Sequence, residues 1–381
     1  MLLALGLALV ATGALPPGDA GASLRRIAGI LAFLAAVVVL ADLLAAAELF
    51  DVVARRLVIW GRGRFVALFA VCVLLASLTT MVLNLDTTAV LLTPVMVALA
   101  RQARVPPLPF AMATVWFANL ASLLLPVSNL TNLLAADRVG LTPLAFAARM
   151  ALPQAATLAA GAACLWFFFW RPGVRDERRY EVPEALRPRR PGLFRLAAVV
   201  VVAFAVAVLA EVPLWLAAAV AAGVLVVAFA VADRGALGPH LLPWRLVVLV
   251  VGLFLVVDTV NRWGLDRLLH GLVGADAGAA GVWRAGAVGA VLSNLVNNLP
   301  AYVAGEAAVP AGHTGQLLGL LVGVNLGPLV TPWASLATLI WFDTVRRQGV
   351  TVPVRRFVVT STLTAVVTLT VALAVLAVTV R

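Results

Sequence analysis

No lysine occurs in the 381 residues; all 28 basic residues are arginine. That absence reflects composition rather than mechanism, but other scarcities exclude whole classes of function. Only two cysteines are present, Cys72 and Cys164, each inside an apolar run. Two isolated thiols build neither a disulfide framework nor a zinc site. The histidines His240, His270 and His313 fall in predicted loops without the spacing of metal ligands. There is no nucleophile–base pair and no G-x-x-x-x-G-K-[ST] loop, so neither an enzyme nor a cofactor is expected. Charged residues make up 12% of the chain, against about 25% in ordinary globular domains. Strands of alternating polarity are missing as well, which excludes a transmembrane β-barrel. The net charge of +11 would suit nucleic acid, but arginines that hold loops on one side of a membrane account for it, and no nucleic-acid partner is expected.

What remains is hydrophobic: 63% of residues are apolar and the mean hydropathy is +1.07. Apolar runs recur from end to end, so the lipid bilayer is the solvent and the fold class is an all-α polytopic membrane protein. The run at 1–15 has no basic n-region and reads as a first span rather than a cleaved signal. The runs at 86–100 and 299–310 are too short to cross about 30 Å of hydrocarbon at about 1.5 Å per residue. Each follows an Asn-rich turn. Residues 65–101 and 282–310 are therefore expected as re-entrant hairpins, with 108–137 and 316–345 as helices broken at proline.

A polar signature appears twice. Asn84-Leu85-Asp86-Thr87-Thr88 is followed by Leu125-Pro126-Val127-Ser128-Asn129-Leu130-Thr131-Asn132. Ser293-Asn294-Leu295-Val296-Asn297-Asn298 is followed by Val330-Thr331-Pro332-Trp333-Ala334-Ser335-Leu336-Ala337-Thr338. Asn119 and Asn325, like Pro126 and Pro332, lie 206 residues apart. Asp42 with Phe50-Asp51 lines up with Asp258 and Leu265-Asp266. Residues 1–170 and 196–381 thus read as two membrane repeats, joined by an Arg-, Glu- and Pro-rich segment, 171–195. With the N-terminus inside, about 20 of the 28 arginines share one side and about 7 the other, which makes the first side cytoplasmic. The first hairpin then opens inward and the second outward, as in an inverted-repeat secondary transporter. Charge parity alone permits full spans in place of hairpins.

Hydrocarbon offers no partner to amides, hydroxyls or carboxylates, so such clusters persist only where protein or a cavity satisfies them. Asn84, Thr87 and Thr88 at the first tip, and Asn297 and Asn298 at the second, can cap the helix that follows. The same geometry offers a helix N-terminus to a polar solute. Many membrane helices kink at proline without a ligand. Here Ser128, Asn129, Thr131 and Asn132 crowd one break, and Thr331, Ser335 and Thr338 the other, so all these residues are predicted to bind substrate. Asp86 is costly when charged in an apolar segment; it reads as a proton or cation carrier, or else as a helix N-terminal charge. Asp42, Glu48, Asp258 and Glu306 also lie near membrane depth, Asp137 and Asp343 near helix ends, and Arg149 and Arg284 are expected to snorkel.

Residues 84–94 (NLDTTAVLLTP), 118–132 (ANLASLLLPVSNLTN) and 325–341 (NLGPLVTPWASLATLIW) closely resemble the arsenite efflux pump membrane subunit family. That family belongs to the ion transporter superfamily, which also holds sodium–dicarboxylate and citrate symporters. The resemblance runs from about residue 40 to the C-terminus. It implies export of arsenite or antimonite against inward proton flow, with the tips and breaks forming the site and the chain in the cell membrane. Some members carry Asp where this chain has Asn119 and Asn325, and Lys in place of Leu329, so here coupling falls to Asp86 or another carboxylate. A sodium-coupled anion or dicarboxylate symporter and a sodium–proton antiporter remain the alternatives. A homodimer and a separate cytoplasmic ATPase partner are both left open.

Overall fold

The computed structural model describes residues 2–49, 52, 55, 56, 59, 64–103, 105–171, 188–210 and 212–379, which form helices joined by short turns. Most of the expected linker (172–187), with Phe50, Asp51, Arg62 and Arg104, lies outside the described residues. So do the side chains of His240, Arg245, Asp266 and Asp343.

The first half opens with α1 (Leu2–Ala11), α2 (Pro17–Ala46) and α3 (Phe65–Val82). Next comes α4, residues 85–102, built of Leu85–Thr87, a π-helical stretch Thr88–Leu92, and Thr93–Gln102. Then follow α5 (Leu108–Leu120), α6 (Leu130–Val139) and α7 (Pro143–Leu165). Helices α8 (Pro191–Leu209) and α9 (Leu214–Ala232) lead into the second half. There α10 (Trp244–Val260), α11 (Asp266–Val273), α12 (Ala279–Val296) and α13 (Asn298–Ala308) precede α14 (Thr314–Leu326), α15 (Leu336–Arg347) and α16 (Val354–Thr379). Among the described residues, five helices are long and apolar enough to cross a membrane, or six if bent α2 counts as one.

Helix lengths recur along the chain. Helices α5 and α14 have 13 residues each, and α3 and α12 have 18 each. The N-cap residues of α6 and α15, Asn129 and Ser335, lie 206 residues apart, the same offset as Asn119 and Asn325. Helices α5 and α14 are buried along almost their whole length. A helix apolar all round and buried all round sits inside a bundle, away from lipid. The two central helices end at Asn119-Leu120 and Asn325-Leu326, so the polar signatures meet in the protein interior.

Association in lipid gains nothing from hydrophobic burial and depends on close packing. Glycines supply it between α12 and α14. A Cβ at Gly323 would stand 2.1 Å from the Gly286 carbonyl oxygen, and one at Gly319 2.5 Å from that of Val282. Gly315, Gly319, Gly323 and Gly327 recur every fourth residue, so they share one face of the chain.

Three sequence expectations change. The expected first span is a ten-residue helix, about 15 Å long and too short to cross alone; it packs on α10 instead. His270 lies in α11, not in a loop. The first break starts at Ala121, five residues before Pro126. Proline disfavours helix in the residue before it, and Leu125 is extended at φ −118° and ψ 149°.

Candidate functional site

At the first tip, Asn84 ends the descent of α3 and caps α4 as expected: its Oδ1 accepts from the Thr87 backbone N–H at 2.7 Å. Thr88 Oγ1 donates to the Asn84 carbonyl at 2.9 Å and accepts from Thr80 Oγ1 of α3 at 2.9 Å. Tip and arm are thereby locked together. The π-helical stretch that follows ends just before Pro94. Proline has no N–H and clashes with the carbonyl one turn back, and a widened turn accommodates both.

At the first break the chain turns through 121–125 and a 3-10 stretch Pro126–Ser128 before Asn129 starts α6. The carbonyls freed by this break are reclaimed inside the protein. Asn132 Nδ2 donates to the carbonyls of Ser122 and Leu125 at 2.6 and 2.9 Å. Gln154 of α7 donates to the Leu120 carbonyl and accepts from the Leu123 N–H, both at 2.8 Å. Ser128 Oγ donates to the Met81 carbonyl at 2.9 Å and ties the break to the first tip.

Asn325 carries the link between halves. Its Oδ1 accepts from Thr131 Oγ1 at 2.6 Å and from Asn129 Nδ2 at 3.1 Å, while its Nδ2 donates to Asn132 Oδ1 at 2.7 Å. All four side chains are buried. Each bond joins donor to acceptor, so the amide network costs no unpaired group.

The second tip is wired to its own break. Asn294 Oδ1 accepts from the Thr331 N–H and Oγ1 at 3.2 and 3.0 Å, and its Nδ2 donates to the carbonyls of Ala290 and Gly327. Asn297 Nδ2 donates to the Trp333 carbonyl, and the Asn298 N–H to that of Ala334. Neither residue caps α13 as expected: the Asn297 side chain is turned to Trp333, and Asn298 Oδ1 accepts from the adjacent Leu299 N–H. Asn297 has φ 89°, and this left-handed backbone aims its amide at the break. Ser335 caps α15 through the Thr338 N–H, so Thr338 belongs to that helix and not to the break.

Among the described residues, the buried carboxylate oxygen Asp86 Oδ1 of α4 and the buried amide oxygen Asn119 Oδ1 of α5 have no partner. The Asn119 amide nitrogen is already committed to the Val115 carbonyl. The helices that carry these two oxygens, α4 and α5, pack against each other and against α15 of the second half. Their repeat counterparts differ: Asn325 is fully bonded, Asn119 is not. Sequence reasoning omitted Asn119, Asn325, Asn294 and Gln154 from the site. The available signal was an amide standing alone in an apolar run. Among the described residues no group of His, Cys, Asp and Glu could hold a metal ion.

Residues 1–338 match the citrate transporter family model. The chain is 32% identical over 343 residues to the arsenical pump membrane protein of Yersinia enterocolitica, covering 83% of this chain and 78% of that protein. It is 30% identical over 372 residues to the arsenical pump membrane protein of Escherichia coli K12, covering 91% and 85%. The crystal structure of the Alcanivorax borkumensis YdaH transporter superposes with a TM-score of 0.59 at 14% identity, covering 96% of this chain and 89% of that one, which shows a shared fold.

Proposed function

The chain belongs to the citrate transporter family and, within it, to the arsenical pump membrane proteins; on that premise we propose that it is a secondary transporter exporting arsenite or antimonite by proton antiport and alternating access. The observation that carries this reading is the pair of unpartnered acceptors, Asp86 Oδ1 and Asn119 Oδ1. Arsenous acid is neutral at neutral pH and carries O–H groups that can donate to such oxygens. It supplies what two orphaned acceptors lack, and leaving them unmet costs about 1–3 kcal/mol each. A dicarboxylate would bring acceptors to acceptors, with no arginine among the described residues of either polar signature to receive it.

In this reading the two hairpins enter from opposite faces and the halves are inverted. The eleven residues of α13 reach about 16 Å, roughly half the hydrocarbon thickness. The substrate sits between α4, α5 and α15, lined by Asp86, Asn119 and Thr87, with Thr338 and Ser335 at the start of α15. Proton binding at Asp86 biases the carrier between inward- and outward-facing states. The arginine-rich face is cytoplasmic in the cell membrane.

Bare oxygens also suit a cation, so a sodium-coupled carrier is the second reading. Transport of arsenite into everted vesicles under an imposed pH gradient separates the two. We expect accumulation that collapses with the gradient, needs neither sodium nor ATP, and is lost in Asp86→Asn. No arsenite movement by the parent protein sinks the substrate assignment. Sodium dependence sinks proton coupling, and ATP dependence without a pH gradient points to a separate ATPase.

A further inference from the structure

The second half carries a charged cluster separate from the amide network. Arg26 of α2 lies 3.7 Å from Asp258 of α10 and 3.5 Å from Glu306 of α13. Ser23 Oγ donates to Asp258, and the Arg26 guanidinium stands 5.8 Å from the Phe254 ring centre. Glu306 is 6% exposed, a depth at which a carboxylate stays only with partners. Tyr302 stands one helical turn before it on the same face. Its ring is fully buried and its hydroxyl interacts with the Glu306 carboxylate. Among the described residues, the charged and titratable groups acting on Glu306 are Arg26, Arg138 of α6, Tyr302 and Asp258. A cavity of about 200 Å³ adjoins this end of α13, lined by Arg138, Val309, His313 and Thr314 among others. Glu306 itself lies eight residues, about 12 Å, from the hairpin tip. It lies on α13, which is not one of the three helices proposed to hold the substrate.

Resting on the proton-coupled export reading, we propose that Glu306, with Arg26, Asp258 and Tyr302, is a second proton-binding site of the carrier. A proton from the outer aqueous phase adds to a Glu306 carboxylate oxygen. The Arg26–Glu306 ion pair opens, Arg26 keeps Asp258, and the Tyr302 hydroxyl stays beside the neutral carboxyl. Arg26 is the ionic tie between α2 and the return arm α13, so its release frees the second hairpin to move. The proton leaves to the inner aqueous phase once the hairpin has moved, and the tie re-forms.

The test reads a plateau rather than a rate. A coupled proton multiplies the steady-state arsenite ratio about tenfold per pH unit imposed. Everted vesicles with parent protein, Glu306→Gln and Glu306→Asp are compared for that plateau and for arsenite–arsenite exchange without a gradient. The expected result is a Glu306→Gln plateau lower by about tenfold per pH unit, with exchange kept, and recovery in Glu306→Asp. A merely slowed carrier reaches the parent plateau, and that result overturns the site. Loss of exchange in both variants also overturns it. Should the parent not move arsenite, the export reading fails, and infrared difference spectra on acidification decide the site separately. A carboxylic-acid carbonyl band present in the parent and in Asp86→Asn but absent in Glu306→Gln upholds it; the same band in all three overturns it.

Discussion

Asn325 Nδ2 donates to Asn132 Oδ1 at 2.7 Å across a separation of 193 residues, joining the end of one central helix to the start of the other half's broken helix. The neighbouring acceptor of Asn119, its counterpart, is empty. One member of the pair ties the halves together and the other keeps a buried amide oxygen without a partner.

Asn325→Ala strips partners from Asn129, Thr131 and Asn132 at once. Leaving buried polar groups unmet costs about 1–3 kcal/mol each, so a drop of about 3 kcal/mol or more is expected. Thermal unfolding of the detergent-purified protein checks it; an unchanged midpoint contradicts the role given to Asn325.

Asp86→Asn and Asn119→Leu should behave in the opposite way. Asp86 Oδ1 and Asn119 Oδ1 have no bond to lose, so the Asp86→Asn unfolding midpoint should shift by no more than about 0.5 kcal/mol equivalent. Transport should fall by about tenfold or more in either variant. The check pairs vesicle transport with unfolding on the same preparations, and equal losses in both would make Asp86 a structural residue.

Gln154→Leu removes the bonds to the Leu120 carbonyl and the Leu123 N–H while keeping the volume. A loss of about 2–4 kcal/mol is expected, with faster backbone hydrogen exchange in residues 120–125. Exchange confined to parent rates would refute the brace.

Gly323→Ala puts a methyl 2.1 Å from the Gly286 carbonyl oxygen, where neither backbone can yield. Overpacking of this kind costs about 1–3 kcal/mol, occasionally more. Gly223→Ala, on α9 with nothing within 4 Å, is the control. It should be neutral or slightly stabilising, and equal midpoints for the two variants would discount the close approach.

Local features were legible in the sequence because neighbouring residues alone set their physics. The break near Pro126 and the cap at Asn84 follow from the residues themselves, and the 206-residue offset recurs in the helix boundaries. What stayed hidden is long-range. Nothing near Asn325 in the chain says that its partners are Asn129, Thr131 and Asn132. Gln154 looks like an isolated polar residue beside Pro153 until α7 is laid against the first break. Residue type alone makes Asn297 a cap, whereas its left-handed backbone turns the amide away from α13.

The glycine ladder of α14 has a mechanical consequence. Where two helix backbones touch with no side-chain layer between them, there are no teeth to slip by a notch. The seam between α12 and α14 is set by main-chain contact at Gly319 and Gly323. Its width leaves no slack for a larger residue, so the spacing of the two backbones is fixed by glycine itself.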